Sequence, residues 1–198
     1  MLSDWYFDVE LDPQLDAAVY HSAPSSLSLA SLAPANGRHA VCRVPACARV
    51  RQGAVEFWYR HSIPAKLVGG IAIRMKTNAP VYDFSDNFIV RDADDFWYLD
   101  WWNGLALVNI GEWAFETLHY TWRHMRVSWW EQNGTLRFRL EFEAGGVWSL
   151  CDGDIDSLRN DNWNNPIQAV GLFVDIREPT VNKVWFDDVK IFNLVTGL

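Results

Sequence analysis

Tryptophan is the residue whose abundance needs a chemical reason. The chain carries 12 Trp beside 6 Tyr and 11 Phe. An indole offers a wide, rigid apolar face and one N–H donor, which suits stacking on a sugar ring or anchoring a protein contact. Three places put such rings next to polar groups. In AVEFWYRH (54–61) Trp58 alternates with Arg60, and in HMRVSWW (124–130) Trp130 shares its parity with His124 and Arg126. The run DDFWYLDWWNG (94–104) puts Trp97 and Trp101 on one side and Phe96, Tyr98, Asp100 and Trp102 on the other. Two such faces cannot both meet water, so one set is core and the other exposed. The candidate ligand-binding residues are therefore Trp58, Arg60, Trp97, Trp101, His124, Arg126 and Trp130. They are expected as an exposed patch whose rings cover a sugar face while the Arg and His groups take its hydroxyls. A protein interface uses the same residue types, so glycan and protein partners both stay open.

Other chemistries find little support. No nucleophile elbow, phosphate loop or dinucleotide fingerprint is present, and the five His residues show no zinc-ligand spacing. With 17 basic against 25 acidic residues the net charge is −8. That balance argues against a nucleic-acid binder, which needs a basic stripe to displace counterions, and against an anionic membrane surface. No apolar run approaches the length of a membrane span. The opening MLSDWYFDVELD has neither a basic n-region nor an apolar h-region. It reads as lacking a signal peptide, so the expectation is cytoplasmic synthesis with the protein staying inside the cell, leaving with a particle or on lysis, or being cut from a longer precursor. The cysteines, Cys42, Cys47 and Cys151, are odd in number. Cys42 and Cys47 are close enough in sequence to bridge, or all three are inert thiols.

The elements that must hold these residues are strands. Period-two alternation recurs along the chain, and no apolar 3.6-residue period of helical length appears. From Trp122 to Glu143 the pattern predicts a hairpin turning at Asn133-Gly134. Met125, Val127, Trp129, Leu136, Phe138, Leu140 and Phe142 point inward; Arg137, Arg139, Glu141 and Glu143 point outward. Strands are also expected at 5–11, 26–30, 39–44, 54–61, 70–76, 87–91, 96–102, 105–110, 167–176 and 183–193. Only Asp152 to Asn160 invites a short helix, capped by Asp. Such spacing predicts an all-β, two-sheet antiparallel sandwich spanning 1–198 as a single domain. If 54–61 joins the hairpin's sheet, Trp58, Arg60, His124, Arg126 and Trp130 share one polar face, with Arg74, Arg137 and Arg139 as further candidates.

Four segments resemble one known group. YHSAPSSLSLA (20–30) is similar to the "sGksSLrl" segment, and GAVEFWYRHS (53–62) to the "ftvefWv" strand, of the concanavalin-A-like (laminin-G-like) jelly rolls and related carbohydrate-binding modules. TWRHMRVSWWEQNGTLRFRLEF (121–142) is similar to their "W-hhvavtyd-gtlrlyvdG", and NKVWFDDVKIFN (182–193) to the closing "vyiDDVriyn" strand. The family's "vdG" turn is not matched cleanly at Glu141 to Gly146. The resemblance implies a jelly roll, a fold that hosts lectins, hydrolases, adhesion domains and virion proteins alike. It implies a structural calcium on Asp187, the first acid of the closing "DD-V". Period-two reading puts that carboxylate inward with Val189 and Ile191, where it needs a partner or a cation, and Asp8 and Glu10 could complete the shell. Laminarinase-like hydrolases of this fold use an E-x-D-x-x-E strand with carboxyls about 5–5.5 Å apart. Neither Glu141 and Glu143 nor Asp8, Glu10 and Asp12 reproduce that pattern. The expectation is a non-catalytic recognition domain for glycan or adhesion. The alternative is a virion component, a capsid decoration or tail-fibre domain that uses the same surface for subunits or a homo-oligomer. A hydrolase or lyase comes third.

Overall fold

In a computed structural model of the protein, the chain reverses at Asn133-Gly134 with φ of 53° and 78°. Those are the left-handed angles that the tightest hairpin turns require and that Asn and Gly tolerate best. The turn fixes the register of the strands on either side, Trp129 opposite Phe138 and Val127 opposite Leu140. Met125, Val127, Trp129, Leu136, Phe138 and Leu140 are all fully buried. The alternation of the sequence is thus reproduced residue by residue.

The structure describes residues 5–7, 11–31, 35–43, 52–62, 67–74, 87–93, 96–102, 106–116, 118–157, 169–176 and 183–193. Their strands, in chain order, are β1 (Trp5–Phe7), β2 (Leu11–Asp16), β3 (Ser26–Ser31), β4 (Ala35–Arg43), β5 (Gly53–His61) and β6 (Leu67–Arg74). β7 (Asn87–Ala93), β8 (Phe96–Trp102), β9 (Leu107–Trp113), β10 (Arg123–Gln132) and β11 (Thr135–Ala144) follow. The last are β12 (Val147–Leu150), β13 (Ile155–Ser157), β14 (Ala169–Ile176) and β15 (Val184–Asn193). One sheet runs β1-β4-β14-β6-β7-β8-β9, the other β12-β11-β10-β5-β15-β3-β2, with β13 paired to β11. Each pairing among them is antiparallel.

Between the sheets lies one apolar layer. Val55, Phe57, Met125, Trp129 and Phe138 from the eight-stranded sheet meet Ile71, Ile73, Phe88, Val90, Trp97 and Trp113 from the seven-stranded one. The backbones of β6 and β7 approach so closely that a Cβ at Gly70 would stand 2.0 Å from the carbonyl oxygen of Val90. Only glycine fits there.

Three expectations are corrected. Trp97 is fully buried, and Trp101 packs partly buried against the same core. The Trp97, Leu99 and Trp101 side of β8 is therefore the inward one, because it carries the larger unbroken apolar set and no carboxylate. Residues 155–157 form a strand rather than the middle of a helix. Pairing with Leu136 to Phe138 satisfies their backbone, and tertiary context overrides a weak capping signal. Arg74 belongs to the other sheet from the hairpin, so it cannot join the hairpin's outer face.

Candidate functional site

Register turns the outer face of the eight-stranded sheet into cross-strand rows. One row crosses five strands: Trp148, Glu143, His124, Trp58 and Asp187 lie directly opposite one another in turn. The next row, Glu141, Arg126, Glu56 and Lys190, alternates in charge. On the other side of Trp58, Arg60 pairs with Trp185, which pairs with Ser28 and so with Gln14. Trp130 and Arg137 form a separate row towards the hairpin turn. The fold thus brings together five of the expected residues, Trp58, Arg60, His124, Arg126 and Trp130, on one face.

The middle of that face is closed upon itself. His124 stacks on Trp58 with centroids 4.7 Å apart, reaching it from β10. His21 stacks at 3.4 Å and is held on the β15 side, where its N–H donates to Asp187. Because β10 and β15 flank β5 on opposite sides, both faces of the indole are occupied. Trp148 adds a further ring beside His124 at 4.8 Å, and the Arg126 guanidinium lies 4.1 Å from the Trp148 ring centre. Arg126 pairs with Glu141 and Glu56, and His124 with Glu143. Both outward glutamates considered for catalysis therefore already have a side-chain partner, Arg126 for Glu141 and His124 for Glu143. A ring stacked on both sides cannot also stack on a sugar, so Trp58, His124 and Arg126 form a brace across the sheet.

Asp187 is part of that brace. Val184 and Phe186 are buried, and beyond a register shift Val189 and Ile191 pack on the core. Asp188 carries a φ of 48° at the shift. A bulge adds one residue and flips the phase of alternation, which turns Asp187 outward with Trp185. Its carboxylate accepts the main-chain N–H groups of His21 (3.0 Å), Ser22 (2.8 Å) and Asp188 (2.9 Å). Among the described residues no group of three or more His, Cys, Asp or Glu is placed to hold a metal. Both oxygens of Asp187 are thus taken by main-chain donors, and the other two residues named for calcium, Asp8 and Glu10, lie outside the described residues. Cys47, the proposed partner of Cys42, lies outside them too. Cys151 is partly buried, and desolvation first, then the charges of Glu141 and Asp152, push its thiol up to about 12.

At one end of the face Tyr120 stands exposed beside Arg60 and Trp185. The Arg60 guanidinium lies 5.4 Å from the Trp185 ring and 6.0 Å from the Tyr120 ring. Its Nε is buried and hydrogen-bonds to nothing among the described residues. Every other outward arginine described on this sheet has a carboxylate: Arg126 as above, Arg137 with Asp156, and Arg139 with Asp154 through two bonds of 2.6 and 3.1 Å. Trp185 is pinned from below, its indole N–H donating to Asp16 at 2.9 Å. That donation, more than any other contact, holds the Asp16 carboxyl below its usual range. Tyr120 has a φ of 54° and is 51% exposed. Its N–H donates to the carbonyl of His61 at 2.8 Å, which anchors its main chain at the end of β5. An exposed aromatic face beside a guanidinium that forms no ion pair among the described residues is the equipment of a ligand subsite.

Trp130 stands apart. It lies six residues from His124 along β10, roughly 20 Å at the rise of a strand. Arg139 (5.2 Å) and Arg137 (6.0 Å) cover it. Sequence reading missed Tyr120, Trp185 and His21. Trp185 carried a legible signal, since it alternates with the buried Val184 and Phe186. Tyr120 and His21 lie in loops, where no periodicity speaks.

No protein-family model and no curated protein matches the sequence. Solved structures do match. The cellulose induced protein Cip1 superposes at a TM-score of 0.64 and 17% identity, over 100% of this chain and 95% of its own. The carbohydrate binding module CBM66 from Bacillus subtilis gives 0.63 at 12% identity, over 96% of each chain. The exoplasmic/lumenal domain of VIP36, in its Ca2+/Man3GlcNAc-bound form, gives 0.56 at 11% identity, over 98% of this chain and 92% of that one. With the two antiparallel sheets, these likenesses show that the chain has the concanavalin-A-like jelly-roll fold.

Proposed function

We propose that the protein is a non-catalytic glycan-recognition domain whose binding site is the Arg60–Tyr120–Trp185 end of the eight-stranded sheet. One observation carries this reading: an exposed, backbone-anchored tyrosine ring stands beside an arginine that has no partner of its own among the described residues. The ring can cover the C–H face of a pyranose, and the guanidinium can donate to its oxygens. The names of CBM66 and of the Man3GlcNAc-bound VIP36 domain support the class of ligand. A glycan array, followed by calorimetry on the best ligand, tests the site. Tyr120→Ala should weaken binding by about 1–3 kcal/mol, as an interface anchor does, and leave the melting temperature within a degree or so of wild type. Unchanged affinity in Tyr120→Ala would remove the site.

A second reading, assembly with other subunits in a virion or another particle, is favoured by apolar side chains on both edges of the sheet. Val147 on β12 is 63% exposed and Leu15 on β2 is 62% exposed. Edge strands bearing exposed apolar residues are ready to pair with another chain. Light scattering of the purified protein tests it: a stable oligomer that Val147→Lys or Leu15→Lys dissociates supports assembly, and a monomer at every concentration speaks against it.

A further inference from the structure

We infer that the saccharide taken at this end of the sheet is acidic, with its anionic group on Arg60; this rests on the glycan-recognition reading. Arg60 differs from the other outward arginines of its sheet. On a face where Arg126, Arg137 and Arg139 each meet a carboxylate, Arg60 forms no ion pair among the described residues. Its Nε is sequestered without an acceptor. A buried, unsatisfied charged donor costs stability, which the cation–π contacts to Trp185 and Tyr120 offset in part and an anion on the guanidinium would offset further. The surroundings favour arginine over lysine for a ligand's sake. Trp185 and Tyr120 lie within cation–π range of the guanidinium, holding a planar fork that can grip a carboxylate or sulfate through two parallel bonds. Trp185 is itself fixed by Asp16 and almost fully buried, so the fork is positioned before a ligand arrives.

The charge of the whole molecule sharpens the inference. At a net charge of −8 the chain repels polyanions at long range. Binding of an acidic saccharide therefore cannot be ascribed to a general basic surface and must come from short contacts at a particular cation. The ligand chemistry shared by the two sources is an oxyanion carried on a sugar ring. A uronate supplies it as carboxylate and a sulfated sugar as sulfate ester.

The test uses three probes on the full chain: an oligogalacturonate, the same oligosaccharide with its carboxyls reduced to primary alcohols, and a dextran sulfate oligosaccharide. Wild type should bind at least one acidic probe about tenfold or more tighter than the carboxyl-reduced one, the difference expected of a charge-assisted pair. The probe that binds identifies the source of the anion. Arg60→Gln and Arg60→Met should abolish that preference. Arg60→Met should also melt no lower than wild type, because it removes an unsatisfied donor and keeps the packing against Trp185. That second readout separates loss of a ligand contact from loss of fold. Equal binding of the acidic and reduced probes, or neutral glycans alone on an array that also displays uronates and sulfated sugars, overturns this inference and leaves glycan recognition standing. Absence of binding to every saccharide overturns both. A preference for acid that survives in Arg60→Gln overturns the assignment to Arg60.

Discussion

At the scale of single residues, neighbours decide what each aromatic and each carboxylate does. Trp58 and Tyr120 are both outward on one sheet, yet Trp58 is stacked by His21 and His124 while Tyr120 stays open. Trp58→Ala should therefore cost stability, about 1–3 kcal/mol and below the 3–5 of a core aromatic, with little effect on the affinity of Arg60's ligand. Denaturant melts alongside calorimetry check both halves. Asp187 ties the loop before β3 to the closing strand by accepting two N–H bonds, from His21 and Ser22. Asp187→Ala should lower the melting temperature by the same amount with and without a chelator. A melting curve of wild type that moves in excess chelator would contradict this reading of the carboxylate. Cys151 supplies a pH signature. Its folded-state thiol is raised to about 12, so the folded chain holds the proton longer than the unfolded one. The stability this contributes is complete below the ordinary thiol range and is lost as pH rises towards 12. Tyr59 behaves likewise from about pH 10, since desolvation, then Asp92, drives its phenol well above the usual value. Urea midpoints of Cys151→Ala should fall less steeply than wild type between about pH 9 and 10, because the variant lacks the raised thiol while every other titrating group is common to both. Equal slopes would show that the thiol is not desolvated.

At the scale of elements, alternation is legible wherever a strand is regular. The hairpin of β10 and β11 was readable to the residue because its turn chemistry and its apolar parity agree. Phe138→Ala should cost about 3–5 kcal/mol, measured by urea unfolding. Parity fails where the backbone gains a residue. The bulge after Asp187 reverses the phase of the closing strand, and nothing in NKVWFDDVKIFN announces it except the paired aspartates. Ile155 to Ser157 likewise becomes a strand because β11 is there to pair with it, which short-range signals do not encode. Gly70 sits where β7 comes closest to β6. Gly70→Ala should destabilise by more than the 1–3 kcal/mol of ordinary overpacking, because the obstacle is a carbonyl oxygen of the main chain rather than a side chain that can turn away. A thermal melt within a degree or so of wild type would contradict that contact.

At the scale of the whole molecule, the jelly roll could be read from strand spacing and four weak motifs in order, whereas the site could not. Rows such as Trp148, Glu143, His124, Trp58 and Asp187 join the consecutive strands β10, β11 and β12 to β5 and β15, which are far from them in the chain. Their alignment depends on inter-strand register, which no local pattern carries. The aromatic excess is divided among a core, a brace and the Tyr120 end of the sheet. The sequence shows the total and the structure shows the division. The account's central claim is that recognition belongs to the Tyr120 end. A nitrogen-15 resolved titration of the indole and backbone amides with oligogalacturonate, or with whichever saccharide an array selects, tests it most directly. The account predicts shifts at the Trp185 indole and the Tyr120 amide, with the indoles of Trp97, Trp113 and Trp129 unmoved. Shifts confined to the Trp130 end or to the seven-stranded sheet would contradict it.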